Sequence, residues 1–252
     1  MKKMFQAVKE INTMRYDMKA QERIETKLMH AHASVKLNLS PRKLYLKNSV
    51  TGREILWVTG ENNGEALVNP NAFPYFDLNL DPYGSLMRHN QHHTIFEMGF
   101  TYATHMIEAL VDKEKNSIEN YFQISGTTVF DNKPCYIITI NYPKYRYVAY
   151  TVKQGETIIS IARKLDVGEY EILQKNKFSD YNEKLKEGQE IQVPNTYSSK
   201  SILYIDEKLF LPLFIQIFDD EGLYEQYEFH NLQVNPFIAP EEFTKNYPGY
   251  HF

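Results

Sequence analysis

Long stretches of this chain alternate apolar and polar residues, and this alternation restricts the fold more than any other feature. It is clear in "ASVKLNLSPRKLYLKN" (33–48) and in "SILYIDEKLFLPLFIQIFDDEGLYEQYEFHNLQVN" (201–235). Because successive side chains of a strand point to opposite faces, such alternation indicates antiparallel strands with one face in water. Aromatic residues make up 14% of the 252 residues, and they favour pleated sheets. We therefore predict a curved antiparallel sheet.

The overall charge argues against a nucleic-acid partner. The formal net charge is −4 at pH 7, whereas a nucleic-acid-binding protein presents a basic surface. No stretch approaches the roughly 20 consecutive apolar residues of a membrane-spanning helix, so we expect no transmembrane segment. The single cysteine, Cys135, excludes an intramolecular disulfide and lies in an apolar, strand-like run, where we expect a buried side chain.

Apolar residues with helical spacing occur in two other regions. Residues 2–12 ("KKMFQAVKEIN") predict a short amphipathic helix at the start of the chain. From Ser85 to about Lys113, apolar residues again fall three or four apart, which predicts a long helix. An open sheet with one apolar face must cover that face, and the long helix is the expected cover.

Residues 150–194 break the alternation with a pattern of their own. A short strand at Tyr150 leads into a turn, and Thr157 is suited to cap the helix that follows. A second short helix ends at Asn176, and a return strand is closed by Pro194. The result is a self-contained strand–helix–helix–strand unit of about 45 residues, near the lower size limit for an unaided core.

This unit resembles the LysM family along its whole length. The start Y-x-V-x-x-G-[DE]-T and the ending L-x-x-G-Q-x-[IL]-x-[IVP]-P both occur with the right spacing, and the matching residues are Tyr150, Val152, Gly155, Glu156, Thr157, Ile161, Ala162, Leu173, Asn176, Leu185, Gly188, Gln189, Ile191, Val193 and Pro194. LysM modules bind glycans that contain N-acetylglucosamine, so the resemblance implies peptidoglycan or a related glycan as a partner. The implied glycan-binding residues are Gly155, Glu156, Thr157 and Ile158 on one wall of a groove, and Asn176, Lys177 and Phe178 on the other. The alternative is that several of them serve only turn and cap geometry.

The sequence on either side of the LysM-like unit resembles two further families. The strand pattern after residue 200 resembles the half-barrel of periplasmic lipoprotein carriers of the LolA type, through Asp206, Leu211, Pro212, Ile215, Ile217 and Gly222. More narrowly, "GSLMRHNQHHTIFEMGF" (84–100) and "EEFTKNYPGYHF" (241–252) resemble a bacterial family of unknown function, DUF1571. These resemblances imply an α+β fold, a curved antiparallel β half-barrel with a covering helix and an inserted βααβ LysM domain. We place the half-barrel at 1–148 and 198–252, and the LysM domain at 150–195.

The segment "RHNQHHTIFE" (88–97) holds the pattern that most resembles an enzyme site. His89, His93 and Glu97 are four apart, so on a helix they would share one face and could ligate a metal. The HEXXH pattern of zinc peptidases is not present. Polar residues at the start of a covering helix more often bond to strand ends and loops, so we expect no catalytic residue, metal or cofactor and keep these three as the metal candidates.

Together these features predict a non-enzymatic bacterial protein of the periplasm or cell envelope. Residues 1–14 lack an apolar signal-peptide core, so we expect that an export signal is absent from this sequence. The LysM domain would bind peptidoglycan, and the half-barrel would hold a lipid or a lipoprotein acyl chain. Two alternatives remain open, namely a metal-dependent cell-wall or polysaccharide hydrolase targeted by the LysM domain, and a structural envelope protein with a closed core.

Overall fold

An antiparallel sheet dominates the computed structural model, which describes residues 1–115 and 117–252. Within these residues the sheet has eleven strands, namely β1 (Thr13–Ile24), β2 (Lys27–Leu39), β3 (Arg42–Asn48), β4 (Glu54–Val58), β5 (Ala66–Asn69), β6 (Leu78–Leu80), β7 (Phe122–Phe130), β8 (Lys133–Asn141), β11 (Lys200–Asp206), β12 (Pro212–Phe218) and β13 (Leu223–Val234). Their order across the sheet is β6-β5-β4-β3-β2-β1-β13-β12-β11-β8-β7. The two remaining strands, β9 (Tyr147–Thr151) and β10 (Glu190–Pro194), form a separate antiparallel pair.

Two helices, α1 (Lys2–Lys9) and α2 (Thr101–Lys113), cover one face of the large sheet. The other two, α3 (Ile158–Leu165) and α4 (Glu169–Lys175), lie between β9 and β10. Met4 of α1 and Leu110 of α2 belong to one buried core with Leu37 of β2 and Leu203 of β11. The predicted antiparallel sheet, its helical cover and the βααβ unit are therefore confirmed, and Cys135 of β8 is buried as expected. No helix among the described residues is both long enough and apolar enough to cross a membrane.

The covering helix is shorter than the sequence predicted. Helical backbone begins at Thr101, and residues 85–100 form a series of turns, so the prediction of a helix from Ser85 was wrong. Asn90 and Gly99 have φ values of 59° and 96°, and such left-handed conformations interrupt an α-helix. The apolar residues of this segment pack on the sheet as turns, where Ile95 is buried, so their spacing of three or four residues does not reflect a helix.

The end of the chain covers part of the opposite face of the sheet. Phe243 packs with Tyr45 and Leu56 in a second small core. The ring of Tyr250 stacks on that of Tyr45, with 3.7 Å between centroids and 6° between planes. Glu242, which precedes Phe243, binds the side chains of two basic residues on this face. The irregular tail is therefore an integral layer of the fold.

The chain leaves the large sheet after β8 and returns to it at the neighbouring strand, β11. Lys200 of β11 pairs with Asn141 of β8, although β9, α3, α4 and β10 lie between them in sequence. Asn195 links the two connections, since its side chain accepts a hydrogen bond from the Arg146 amide (3.1 Å) and donates one to the Lys144 carbonyl (2.9 Å). The intervening unit is thus held to the sheet by short, hydrogen-bonded connections.

Candidate functional site

The strand–helix–helix–strand unit has a small hydrophobic core of its own. Its buried members lie between the end of β9 and the end of β10, and they are Val152, Ile158, Ile161, Ala162, Val167, Ile172, Ile191 and Val193. The apolar face of α3 supplies three of them, because residues three and four apart in a helix share a face. This core fixes the two loops that the family resemblance assigns to glycan binding.

The first predicted wall of the groove mixes exposed and buried positions. Gly155 is exposed with φ of 75°, a conformation that favours glycine. Thr157 caps α3, since its hydroxyl accepts a hydrogen bond from the Ser160 amide at 3.1 Å and its own amide donates to the Ser160 hydroxyl at 2.8 Å. Ile158 is fully buried in the core, so it presents no surface to a ligand in this structure.

Glu156 is held by neighbours within the same unit. Its carboxylate accepts hydrogen bonds from the Lys164 ammonium at 2.7 Å, the Lys153 amide at 2.9 Å and the Tyr150 hydroxyl at 2.8 Å. The bonds from Lys164 and the Lys153 amide lower the pKa of Glu156 to about 2. The side chain therefore stabilises the turn that presents Gly155.

The second predicted wall contains one structural residue and two that face a cleft. The Asn176 side chain donates to the carbonyls of Ile172 (2.8 Å) and Gln192 (2.7 Å) and accepts from the Gln192 amide (2.8 Å), which ties α4 to β10. Lys177 is exposed and Phe178 is half-buried. Both line an open cleft of about 690 Å³ between this unit and residues 85–100, the turns that precede α2 and that we call the covering segment.

The unit docks on the rest of the protein through α4. Glu169 pairs with Arg88 of the covering segment at 2.6 Å, and both side chains are nearly inaccessible, with relative exposures of 9% and 1%. Glu171 accepts a hydrogen bond from the Tyr145 hydroxyl at 2.9 Å. Burial raises the pKa of Glu171 well above its usual range. Polar groups of α4 are therefore built into the interior of the whole chain.

The structure does not bring the predicted metal trio together. His89 is exposed and lines the cleft, whereas His93 and Glu97 line a cavity on the other side of the segment. Glu97 accepts hydrogen bonds from the Thr94 amide at 2.5 Å and the Thr94 hydroxyl at 2.7 Å. The i, i+4 argument failed because this segment is not helical, and the hydrolase alternative loses the site on which it rested.

A different titratable cluster lies beneath this segment. The Glu225 carboxylate of β13 is 3.1 Å from Nδ1 of His92 and 2.9 Å from Nε2 of His93, and it accepts a hydrogen bond from the Tyr197 hydroxyl. Burial alone would lower the pKa of His93, but the adjacent Glu225 carboxylate raises it to about 9. Conversely, the two imidazoles lower the pKa of Glu225 in spite of its burial.

Sequence reasoning missed His92 and Glu225 for different reasons. His92 falls outside the four-residue spacing that selected its neighbours. Glu225 lies 132 residues from His93, and no local rule joins them. A signal for Glu225 existed, however, because it alternates with Tyr227 and Phe229 on the inward face of β13, where a carboxylate is unusual.

A cavity of about 120 Å³ lies between the concave face of the sheet and residues 91–103. Its apolar lining comes from the strands and from the segment, and includes Met18, Ala31, Ala33, Leu46, Ile55 and Phe229. Its polar lining includes Glu22, Arg53, His93, Glu97, Glu225 and Tyr227. A dry cavity of about 150 Å³ holds a molecule the size of benzene, so this cavity has room for a small group rather than a whole acyl chain.

The fold is an antiparallel sheet with covering helices and an inserted strand–helix–helix–strand module. The sequence profile described as "LysM domain" matches residues 150–194, and these residues form a LysM domain. The profile described as "Protein of unknown function (DUF1571)" matches residues 11–169, more than half of the chain. The chain belongs to the DUF1571 family. No match was found among curated proteins.

Several solved structures are similar over almost the whole chain, at low sequence identity. The MucA/MucB complex of Pseudomonas aeruginosa is 10% identical with a TM-score of 0.41, covering 96% of this chain and 58% of that one. The Mycobacterium tuberculosis lipoprotein LppX is 13% identical with a TM-score of 0.42, covering 94% of both chains. A LolA superfamily protein from Nitrosomonas europaea is 10% identical with a TM-score of 0.36, covering 98% of both. The chain thus spans less than two thirds of MucB, and likenesses this distant carry no argument about ligands or partners.

Proposed function

We propose that this protein binds an N-acetylglucosamine-containing glycan of the bacterial cell envelope, peptidoglycan in particular, and is not an enzyme. The observation that carries the proposal is the LysM match over residues 150–194, together with a folded module whose Gly155 turn and Lys177 are exposed. Because peptidoglycan lies outside the bacterial cytoplasm, the proposal places the protein in the periplasm or cell envelope. We also propose that residues 1–148 and 198–252 act as one host domain around a LysM domain at 150–195.

The chemistry of glycan contact follows from which groups are free. Of the seven predicted residues, Glu156, Thr157 and Asn176 have side chains engaged within the module, so the backbone of the Gly155 turn and the Lys177 ammonium are the polar groups that remain for a glycan. Phe178 offers a half-buried aromatic surface in the same cleft as Lys177. Clefts of about 300–1,000 Å³ with a few polar groups are typical of small-ligand sites, and the cleft here falls in that range.

Co-sedimentation of the full chain with purified peptidoglycan tests this proposal. We expect the affinity for peptidoglycan to fall at least about tenfold in the Lys177→Glu variant, because the cleft would lose a positive charge and gain a negative one. Lys186→Glu, also exposed in the LysM domain but outside the cleft, is the matched control and should bind like the wild type. Absence of wild-type binding, or equal binding by both variants, would contradict the proposal.

We propose secondly that the host cavity holds a small amphiphile or the end of a lipid or lipoprotein acyl chain. Support comes from the apolar lining of the cavity and from Arg53 at its wall. Within the described part of the chain, Arg53 makes no salt bridge and its buried Nε has no hydrogen-bond partner. Burying the Nε of Arg53 without a hydrogen-bond partner is costly, so an acidic head group beside Arg53 would stabilise this half-buried side chain.

Native mass spectrometry of the purified full chain tests the second proposal. Ala31→Leu places a larger side chain in the cavity, and we expect it to abolish a co-purifying small amphiphile. His32 lies next to Ala31 on β2 but is exposed on the opposite face, so His32→Leu is the matched control. A ligand retained equally by both variants would place it elsewhere, and ligand-free wild-type protein would favour a closed core.

A further inference from the structure

Three potential ligand atoms converge at one end of the host cavity. Nδ1 of His92, Nε2 of His93 and a carboxylate oxygen of Glu225 all lie within 4.8 Å of one another. The Glu225 oxygen is 3.1 Å from the first nitrogen and 2.9 Å from the second. Two ligands about 2.1 Å from a common metal ion are about 3 Å apart when adjacent and about 4.2 Å apart when opposite. The two contacts to Glu225 therefore match the spacing of neighbouring ligands around one metal ion.

The surroundings of His92 fix which of its nitrogens is available. Nε2 lies 2.9 Å from the Arg23 carbonyl oxygen, which can only accept, so this nitrogen carries a proton and donates it. In a neutral ring Nδ1 then has a lone pair directed at Glu225. A metal-binding histidine almost always donates its other N–H to such an acceptor, which orients the ring and sets the tautomer. Tyr170 and Tyr224 stack on the two faces of the ring and hold it in that orientation.

The charge at this end of the cavity also favours a cation. Glu22 is buried beside the cluster, where it accepts a hydrogen bond from the His92 amide at 2.6 Å and another from the Tyr227 hydroxyl. Among the described residues, Glu22 has no salt bridge to a basic side chain. Glu22, Glu97 and Glu225 all line the same cavity, so carboxylates outnumber the basic groups in its wall. Buried carboxylates without basic partners are stabilised by a bound metal ion.

A bound ion would have access to solvent or a ligand through the cavity. His93 and Glu225 both line the space of about 120 Å³, which exceeds the volume of about 30 Å³ that one water molecule occupies in the liquid. A set of two histidines and one carboxylate leaves coordination positions open, as in zinc sites with exchangeable ligands and in non-haem iron sites.

We propose that His92, His93 and Glu225 bind one divalent transition-metal ion at the polar end of the host cavity. This site is independent of glycan binding by the LysM domain and replaces the helical trio that the sequence pattern suggested. Without an ion, the same spacing accommodates N–H···O hydrogen bonds from the two imidazoles to Glu225, so protons and metal compete for these atoms.

Binding of Co²⁺ and Zn²⁺ to the untagged full chain tests the proposal. We expect one Co²⁺ per chain, with visible absorption bands that indicate nitrogen and oxygen ligands and that Zn²⁺ abolishes by displacement. His93 is the least buried of the three ligands. His93→Ala should weaken Zn²⁺ binding by at least about 100-fold, because losing a direct ligand costs more than the roughly 10–100-fold typical of losing a residue that only supports a ligand. His89→Ala removes an exposed histidine four residues away and should leave affinity unchanged.

Two results would overturn the metal site. The first is wild-type protein that shows no Co²⁺ bands at millimolar Co²⁺, which leaves a hydrogen-bonded His–Glu–His cluster as the correct description. The second is a metal-bound wild type whose affinity His93→Ala does not change, or changes no more than His89→Ala does. If His93→Ala does not fold, as judged by circular dichroism, the isosteric Glu225→Gln variant takes its place. Unchanged metal affinity in Glu225→Gln would then overturn the site, as would a wild type without Co²⁺ bands.

Discussion

The ring of Tyr170 in the LysM domain stacks on the ring of His92 in the host, with 4.4 Å between centroids and 18° between planes. Tyr224 of β13 stacks on the other face of His92 at 4.2 Å, so the imidazole is enclosed between two aromatic rings. The Tyr170 hydroxyl also accepts a hydrogen bond from the Glu25 amide at 2.9 Å. Helix α4 of the LysM domain therefore packs into the interior of this protein, and we expect the domain to unfold together with the host.

Tyr170→Ala tests this shared interior. Removing a buried aromatic side chain should lower the free energy of unfolding by about 3–5 kcal/mol, because it leaves a cavity and ends the stack on His92. For the wild type, urea unfolding followed by circular dichroism of the whole chain and by fluorescence of Trp57, the single tryptophan, which lies in the host, should give one coincident transition. Tyr170→Phe keeps the stack and should lose only about 1 kcal/mol. Two separate transitions would show that the LysM domain folds independently.

The buried pair Arg88–Glu169 should be sensitive to the loss of either partner. Glu169→Gln leaves the Arg88 charge buried beneath the domain interface, and we expect a loss of about 3–5 kcal/mol in the free energy of unfolding. The double variant Arg88→Met/Glu169→Leu should lose less than the sum of the single variants Arg88→Met and Glu169→Leu, because no unpaired charge remains. A double-mutant cycle by urea denaturation measures this coupling. Additive losses would mean that the two side chains act separately.

The attachment of the C-terminal segment should depend on pH. Glu242 accepts hydrogen bonds from Arg15 at 2.6 Å and Lys36 at 2.8 Å, and these outweigh the effect of burial and lower its pKa to about 2. The folded pKa lies below the unfolded value of about 4.3, so this stabilisation is present above pH 4.3 and is lost as pH falls towards 2.

Comparison of wild type with Glu242→Gln checks this assignment. The variant should be less stable by up to about 2 kcal/mol at pH 7, and the difference should shrink steadily between pH 4.5 and pH 2. Thermal unfolding at a series of pH values measures it. Glu241→Gln, at the exposed neighbouring position, should show no such dependence. A difference between Glu242→Gln and wild type that stays constant with pH would contradict the assignment.

Gly99 lies where the turns of the covering segment end and should not tolerate a side chain. Its φ is 96°, and an added Cβ would lie 3.1 Å from a methyl carbon of Leu37, which is fully buried. We expect Gly99→Ala to lower stability by about 1–3 kcal/mol in thermal unfolding. Gly60→Ala, with φ of 81° and open space around the new Cβ, should be milder. Equal effects would show that crowding at Leu37 is unimportant.

Much of the architecture could be predicted from local patterns. Alternation located the strands because the two faces of a strand differ in environment at every second residue. The LysM domain could be recognised because its turn, caps and core residues lie within 45 consecutive residues. By contrast, the helical spacing around Ile95 was misleading, since apolar residues in a chain of turns packed on a sheet can have the same spacing.

The candidate sites show where local rules stop. The i, i+4 rule selected His89 and Glu97 because it assumes a helix, and the turns direct His89 to the cleft and Glu97 to the cavity. The cluster that does form joins His92 to Glu225, which the chain separates by 133 residues. The order of strands in the sheet brings these two residues together, because β13 lies next to β1 near the centre of the sheet, under the covering segment.

The sequence by itself determined the antiparallel strands, the N-terminal helix and the inserted LysM domain, because each depends on residues that are near one another in the chain. Only the tertiary structure decided which histidines meet a carboxylate, how much space remains under the covering segment, and which groove residues stay exposed. These properties depend on the packing of segments far apart in sequence. Tyr170 is an example, since its pattern marks it as a helix residue and only its contact with His92 makes it a link between two domains.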